Sequence, residues 1–206
     1  MRVEIFFDVL CPWCFIGKRR LDGVLAGRDD VEVVWRSREL APDGDPEPGP
    51  TAAETIMMYQ GDAAKGAARV ARIQDAGAAE GLELALHKAR PVNTFDAHRL
   101  VHLGADAGLA DAVVERFLYG YHTEGRNIAD PRCLVTLATE AGLDADRVRD
   151  VLRGDAYAAR VRDDEERGAQ LGVTGVPSLV IDGAPPVSGV QAPEELARLL
   201  DRATRA

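Results

Sequence analysis

Short apolar runs near both ends of the chain enclose a long middle stretch with helical periodicity. Residues 3–7 and 31–36 are rich in Val, Ile, Phe and Trp, and each run predicts a β-strand. A helix-like run from Phe15 to about Leu25 lies between them. The chain therefore opens with a predicted strand–helix–strand unit.

The middle of the chain, from residue 51 to about 170, shows no convincing strand pattern. Apolar residues recur there at helical spacing among many Ala, Leu, Arg, Glu and Asp residues. The pattern predicts helices over 52–59, 62–80, 95–107, 110–121, 131–141, 144–152 and 155–171. Four prolines within 41–50 predict a loop in front of this block, since proline cannot continue a helix or donate to a sheet.

The β signal returns near the end of the chain. Residues 177–181 and 186–188 are predicted as two short strands, and Asp182-Gly183 is a hairpin turn signal between them. A closing helix is predicted from Pro193 to Arg205, because proline is favoured at the first helical position.

These elements predict an α/β fold class with the order βαβ, a large all-helical insertion, and then ββα. A chain of 206 residues fits one domain that carries such an insertion. We place the α/β domain at 1–45 and 165–206 and the helical insertion domain at 46–164.

The chain is acidic, with 34 acidic against 25 basic residues and a formal net charge of −9. This charge, without any sizeable Lys/Arg cluster, disfavours nucleic acid as a partner. No apolar run approaches the length of a membrane span, and no signal-peptide pattern follows Met1. We therefore expect a cytoplasmic protein with no membrane partner, in a compartment where thiols are kept reduced.

The most specific motif is Cys11-Pro12-Trp13-Cys14, placed where the first predicted strand gives way to the first helix. A Cys-x-x-Cys at such a junction is typical of thioredoxin-like redox proteins. If Pro12 opens the helix, Cys11 faces unpaired amides at the positive end of the helix dipole, which favours its thiolate. We expect Cys11 to form the mixed disulfide with a substrate and the more buried Cys14 to resolve it. Trp13 is expected to be partly exposed at the site, where it either shields the disulfide or contacts substrate.

A structural zinc site is the main alternative for this cysteine pair. Such a site usually needs four ligands, commonly from two pairs. The chain has no second Cys-x-x-Cys, and its remaining candidate ligands are scattered over the helical block: Cys133, His87, His98, His102 and His122. We therefore predict a redox pair and no metal. Cys133 is interpreted as a small buried packing residue.

The dipeptide Val176-Pro177 stands at the start of the late strand, where proline is tolerated. Most peptide bonds before proline are trans in folded proteins, so the bare sequence favours the trans form. The residues alone leave the isomer open.

The two motifs and the helical insertion together resemble the thioredoxin superfamily, and within it the DsbA family. Further segments are similar to the FrnE-like group of DsbA-family oxidoreductases: residues 8–18, Asn93-Thr94, residues 97–99, 127–130, 172–177 and 188–191. The resemblance covers nearly the whole chain. It implies a thioredoxin-like fold and a protein dithiol–disulfide oxidoreductase.

The resemblance also implies roles for individual residues. Pro177 becomes the cis-proline of a loop that faces the cysteines, and the backbone of Val176 pairs with an extended substrate segment. Pro12 and Trp13 join this loop in binding substrate. Asn93 is placed near the cleft and becomes a substrate-binding candidate, although a helix cap is the simpler interpretation of an Asn at that position.

Two charged residues near the cysteines have competing interpretations. Asp8 on the strand that leads to Cys11 is a candidate proton relay to Cys14 if it is buried, but an exposed acid at the strand end is slightly favoured. Lys18 lies one turn beyond Cys14, where its charge could favour the thiolate, but a solvated helix face is the favoured interpretation.

Two other function classes stay open. Glutathione-dependent isomerases and transferases of the 2-hydroxychromene-2-carboxylate isomerase and kappa classes share the insertion topology but typically carry serine in place of the first cysteine. A non-catalytic binding or chaperone module is the third class. The redox hypothesis needs no cofactor beyond the cysteine pair. Its partners are protein or small-molecule thiols and disulfides, with glutathione as a candidate co-substrate, and a homodimer is a general expectation.

Overall fold

A computed structural model describes residues 1–203 of the chain. The predicted opening unit is present as β1 (Arg2–Phe7), α1 (Pro12–Leu25) and β2 (Glu32–Ser37), and β1 pairs with β2 in parallel. The first helix begins at Pro12, earlier than its apolar run indicated, because proline suits the first helical position.

A block of helices follows β2, as the periodicity predicts. Its members are α2 (Ala52–Gln60), α3 (Ala63–Ala79), α4 (Phe95–Asp106), α5 (Ala110–His122), α6 (Pro131–Glu140), α7 (Ala145–Arg153) and α8 (Ala158–Leu171). Local chemistry explains several helix starts. The side chain of Asp130, for example, accepts hydrogen bonds from the backbone N–H groups of Arg132 and Cys133 at the start of α6.

The late β unit consists of β3 (Ser178–Ile181) and β4 (Val187–Ser188), followed by α9 (Pro193–Ala203). The predicted turn has positive φ angles at both Asp182 and Gly183, 46° and 78°, as a tight hairpin requires. The predicted end of the last helix at Arg205 lies outside the described residues.

The strands form one sheet in the order β2-β1-β3-β4, in which β1 pairs antiparallel with β3 and β3 antiparallel with β4. The βαβ…ββα order with its helical insertion confirms the predicted α/β, thioredoxin-like fold class. The domain limits at 46 and 164 stay a prediction, and α8 runs continuously across position 164. Helix α1 packs against α3, α5 and α9, so the cysteine motif lies where sheet and helical block meet.

Lys18 on α1 is buried, so the predicted solvated helix face is wrong at this residue. Its ammonium group lies 2.9 Å from Asp22, 3.0 Å from Asp111 and 3.3 Å from Glu115. Burial acts against the charged form, but the three carboxylates outweigh it and raise the pKa of Lys18. The side chain therefore joins α1 to α5.

Candidate functional site

Cys11 caps the first helix, as its position before Pro12 predicts. Its backbone is extended (φ −85°, ψ 110°), and Pro12 opens α1 directly after it. The N–H of Cys11 donates to the carbonyl of Asp8 at 3.2 Å, and the N–H of Cys14 donates to the carbonyl of Cys11 at 2.9 Å. These bonds fix the backbone of Cys11 at the start of α1, while its side chain makes no capping hydrogen bond.

The thiols of Cys11 and Cys14 are both free and share a hydrogen bond. Both are nearly enclosed, with 5% of Cys11 and 2% of Cys14 exposed. Burial raises the pKa of the Cys14 thiol well above its usual range, and the hydrogen bond with Cys11 raises it further. Cys14 therefore holds its proton in this structure, as expected for the less acidic cysteine of the pair.

The loop before β3 faces the cysteine pair. The Sγ atom of Cys11 lies 3.6 Å from the carbonyl oxygen of Val176, and the Val176–Pro177 peptide bond is cis. Gly17 and Gly189 make room for this loop. A Cβ atom on Gly17 would lie 2.7 Å from the carbonyl oxygen of Gly189 and 3.2 Å from Cγ of Pro177. Gly17 thus allows α1 to approach the proline loop closely.

A cleft of about 830 Å³ opens beside this contact. It combines residues of the cysteine motif, the proline loop, the β4 region and α3. Its lining residues are Trp13, Arg20, Ala68, Arg69, Arg72, Ala76, Val176, Pro177, Ser188 and Val190. Three of the predicted substrate-binding residues, Trp13, Val176 and Pro177, therefore share one cleft. Pro12 is half-buried next to it.

Asp8 is completely buried, so the favoured expectation of an exposed strand-end acid is wrong. Its carboxylate accepts hydrogen bonds from the backbone N–H groups of Leu40 at 2.6 Å and Leu10 at 3.3 Å. Nε2 of His98 lies 3.5 Å from the same carboxylate. The charge of Asp8 also acts on the thiol of Cys14 and contributes to its raised pKa. A buried carboxylate thus lies close to the second cysteine.

His122 at the end of α5 is a buried group that the sequence analysis did not connect with the cysteines. Its ring stacks on Phe15, with centroids 6.1 Å apart, and lies next to the carbonyls of Val9 and Cys11. Neither ring nitrogen has a hydrogen-bond partner of good geometry. Burial lowers the pKa of His122 to about 4, so the ring is neutral at pH 7. No spacing signal marks His122, because it reaches the motif only through packing.

Asn93 lies directly before Thr94, the N-cap residue of α4, and its side chain bonds the first turn of that helix. Its side-chain oxygen accepts from the N–H of Phe95 at 3.0 Å, and its amide donates to the carbonyl of Pro42 at 3.0 Å. These contacts join α4 to the loop after β2. A direct role of Asn93 in substrate binding stays a prediction.

Three further observations concern metal ions, membranes and the third cysteine. Within residues 1–203, His, Cys, Asp and Glu side chains form no group of three or more that could hold a metal ion. No helix described over the same residues is both long and apolar enough to span a membrane. Cys133 is half-buried rather than fully buried, and it packs at the edge of the main core.

Comparison with known proteins places this site in a family. Residues 2–201 match the family model of the DSBA-like thioredoxin domain. The crystal structure of the probable DsbA oxidoreductase SCO1869 from Streptomyces coelicolor is 40% identical, with a TM-score of 0.93 over 100% of this chain and 90% of that one. The uncharacterized protein YwbO of Bacillus subtilis is 26% identical over 88% of this chain and 86% of its own length.

A more distant structure shares the fold. The cytosolic disulfide reductase DsbM from Pseudomonas aeruginosa, solved with GSH, is 17% identical, with a TM-score of 0.73 over 100% of both chains. The family match covers the sheet, the helical insertion and both halves of the candidate site, which confirms the resemblance inferred from the motifs. The chain belongs to the DsbA-like thioredoxin family, whose members are thiol–disulfide oxidoreductases.

Proposed function

We propose that this protein is a dithiol–disulfide oxidoreductase that uses Cys11 as the attacking and Cys14 as the resolving thiol. One observation carries the proposal. The Cys11 sulfur lies 3.6 Å from the carbonyl of Val176, a residue that lines an open cleft, and Cys11 is slightly more exposed than Cys14, at 5% against 2%. On this assignment the cysteine beside the cleft exchanges with substrate, and the more enclosed cysteine makes the intramolecular attack.

The chemistry follows from this asymmetry. The Cys11 thiolate attacks one sulfur of a substrate disulfide, forms a mixed disulfide and releases the other sulfur as a thiolate. Cys14 then loses its proton and attacks the Cys11 sulfur. This step closes the Cys11–Cys14 disulfide and releases the second substrate thiol. The dithiol has lost two electrons and the substrate disulfide has gained them; the same steps in reverse oxidise a substrate dithiol.

Substrate positioning is assigned to the cleft beside Cys11. Val176 offers its backbone next to the reactive sulfur, where an extended peptide segment can add alongside. Trp13 and Pro177 supply apolar wall on either side of that position, and Pro12 fixes the backbone between the cysteines. Asn93 is retained as a substrate-binding candidate, and its amide also holds the loop after β2 through the carbonyl of Pro42.

Asp8 is proposed as the proton relay for Cys14. A thiol with a raised pKa needs a base to become a nucleophile, and Asp8 is the buried carboxylate whose charge reaches it. Hydrogen bonds from Leu40 and Leu10 hold that carboxylate in place. When Cys14 attacks, its proton moves toward Asp8 and returns when the disulfide is reduced.

The decisive experiment compares three serine variants. Cys11→Ser should abolish thiol exchange and form no mixed disulfide, because the attacking thiol is lost. Cys14→Ser should accumulate a mixed disulfide at Cys11 that mass spectrometry detects. Cys133→Ser removes a half-buried cysteine outside the site and should behave like the parent. A Cys11→Ser protein that reduces or oxidises model substrates at the parent rate would refute the proposal.

The direction of electron flow depends on the reduction potential of the pair. A value near about −120 mV is that of a strong oxidant, and a value near about −270 mV is that of a reductant. Equilibration with glutathione buffers gives this number directly. A cytoplasmic location stays a prediction, and the description of DsbM as a cytosolic reductase makes the cytosol the first compartment to test by fractionation.

Glutathione is proposed as a co-substrate, because the DsbM structure of the same fold was solved with GSH. A glutathione-dependent isomerase or transferase is the second candidate function. The thiol at position 11, where those classes typically carry serine, and the complete cysteine pair disfavour it. Isomerase or transferase activity without dithiol cycling would make that class the leading candidate function. A binding module without catalysis predicts no exchange at all, and the homodimer stays a prediction.

A further inference from the structure

The cleft beside Cys11 has a charge opposite to that of the whole chain. The protein carries a formal net charge of −9, yet the cleft is lined by three arginines and by no acidic side chain. Arg20 is already neutralised, since it lies 2.7 Å from Glu80. Arg69 and Arg72 have no carboxylate within ion-pair distance among residues 1–203. Two uncompensated cations therefore face the cleft.

Helix geometry places these two cations together. Arg69 and Arg72 are both exposed on α3, and residues with this spacing share one face of a helix. Ala68 and Ala76 line the cleft from the same helix, and their small side chains leave space around the guanidinium groups. The Arg72 guanidinium also lies 6.0 Å from the ring centroid of Trp13, inside the cysteine motif.

The cleft lies beside the reactive sulfur, although Cys11 itself does not line it. Val176 lines it, and the carbonyl of Val176 lies 3.6 Å from the Cys11 sulfur. A disulfide that meets Cys11 therefore extends its substituents toward α3. The cleft volume of about 830 Å³ lies within the range of roughly 300–1,000 Å³ typical of small-molecule sites. Guanidinium groups bind carboxylates in bidentate geometry, as they also bind phosphates.

We propose that this cleft selects low-molecular-weight disulfides and thiols that carry carboxylates, and that Arg69 and Arg72 bind those carboxylates. The inference rests on the proposed function and assigns it a substrate class. In the reductive direction, Cys11 attacks a carboxylate-bearing disulfide and releases one acidic thiol. Cys14 then attacks Cys11 and releases the second, so one protein dithiol is oxidised for one substrate disulfide reduced.

Three small disulfides of similar length and different charge test this selection: dithiodipropionate (anionic), hydroxyethyl disulfide (neutral) and cystamine (cationic). Single-turnover rates of the reduced protein are divided by the rates of dithiothreitol with the same compounds, which removes intrinsic reactivity. The parent should favour the anionic disulfide. The double variant Arg69→Glu/Arg72→Glu should lower that preference by about tenfold or more. Its rate with the neutral hydroxyethyl disulfide should change little.

Arg147→Glu is the matched control, because Arg147 is an exposed arginine on α7 that does not line the cleft. It reverses the same kind of charge and should keep the parent preference. Equal preferences in the parent, the double variant and this control would overturn the proposed selection. A fall in all three rates of the double variant by one factor would also overturn it, because that pattern reports a weaker nucleophile.

A ligand that cannot exchange separates the two proposals. S-methylglutathione carries carboxylates but no free thiol, and calorimetric titration measures its binding without turnover. The parent and Arg147→Glu should bind it, and the double variant should bind it about tenfold more weakly. Arginine-dependent binding without reaction of any disulfide would support the cleft and refute the oxidoreductase. Equal binding by the parent and the double variant would refute the cleft.

Discussion

The carboxylate of Asp8 lies 3.5 Å from Nε2 of His98, and both side chains are completely buried. Asp8 is held by backbone N–H groups, whereas neither ring nitrogen of His98 makes a hydrogen bond within the described residues. The carboxylate and the imidazole therefore lie together away from bulk solvent, and the charge of Asp8 acts on the Cys14 thiol. A buried polar pair with unmet hydrogen bonds stabilises a fold little, so this pair is consistent with the relay role proposed for Asp8.

The first prediction concerns this acid. Asp8→Asn keeps an oxygen that can accept from Leu40 but removes the base, so the resolving attack by Cys14 should slow by about 10²-fold. The mixed disulfide at Cys11 should then persist and be detected by acid quenching and mass spectrometry. The slowed step should regain speed as pH rises, because solvent hydroxide replaces the missing base.

His102→Gln is the matched control for this variant. His102 lies on α4 like His98 but contacts Asp164 at 3.1 Å instead of Asp8, so resolution should keep its parent rate. His98→Gln should slow the resolving attack by Cys14 less than Asp8→Asn does. It should also shift the pH profile of that step, because His98 acts through the Asp8 carboxylate. Parent-like resolution by a folded Asp8→Asn protein at every pH would exclude the relay.

The second prediction uses two glycines of the same helix. A Cβ on Gly17 would meet the carbonyl of Gly189 at 2.7 Å and the ring of Pro177 at 3.2 Å, whereas a Cβ on Gly23 meets nothing within 4 Å. Gly17→Ala should push the proline loop from α1 and cost about 1–3 kcal/mol, with a loss of exchange activity. Urea unfolding and the exchange assay measure the two effects.

Gly23→Ala provides the reference for Gly17→Ala. It makes the same chemical change in α1 at an exposed position, so it should stabilise the protein by about 0.5–1 kcal/mol through helix propensity. Its exchange rate should equal that of the parent. A Gly17→Ala protein as stable and active as Gly23→Ala would mean that the approach of α1 to the proline loop is not needed.

Much of this architecture is predictable from the sequence, because it depends on local rules. Helical periodicity predicts α2 to α8 to within a few residues, and Pro12 after Cys11 predicts that Cys11 is the N-cap residue of α1. The turn pair Asp182-Gly183 predicts the β3–β4 hairpin. Each of these features is decided by residues that lie within one turn or one strand of each other.

The surroundings of the site depend on contacts between residues far apart in the sequence, which local rules do not predict. Asp8 and Lys18 are charged, so exposure is the default expectation, yet both are buried by helices of the insertion. The partner Asp111 of Lys18 lies 93 residues further along the chain. Arg69 and Arg72 resemble a solvated helix face in the sequence, and only the packing of α3 against α1 makes them line the cleft.

The third prediction tests the buried lysine. Lys18→Met removes the ammonium group and keeps most of the side-chain volume, and it leaves three carboxylates near one another. We expect a loss of about 1–2 kcal/mol at pH 7, reduced from the cost of a fully buried pair because Asp22, Asp111 and Glu115 are partly exposed. Because the folded-state pKa of Lys18 is raised above 10.5, its contribution is fully present at neutral pH.

Arg19→Met is the comparison for Lys18→Met. Arg19 also pairs with Glu115, at 2.6 Å, but about a third of each side chain is exposed, so its loss should cost less than about 1 kcal/mol. Urea unfolding at pH 7 measures both variants. Lys18→Met with no greater loss than Arg19→Met would show that the buried ammonium adds no stability.

The fourth prediction concerns the pH dependence of folding. Burial lowers the pKa of His122 to about 4 from the usual 6.5, so the unfolded chain binds this proton more readily than the folded protein. Stability should therefore be unaffected by His122 above pH 6.5 and should fall as pH drops toward about 4. The full shift corresponds to a loss of about 3 kcal/mol.

Urea unfolding at pH 7 and pH 5 isolates this effect when His122→Asn is compared with the parent. The variant cannot take up the proton, so its stability should fall less between the two pH values than that of the parent. His87→Gln is the control, because His87 is exposed and should leave the parent slope unchanged. If His122→Asn loses as much stability as the parent over this interval, the ring beneath the cysteine motif is not held neutral by burial, and acid unfolding must begin at other groups.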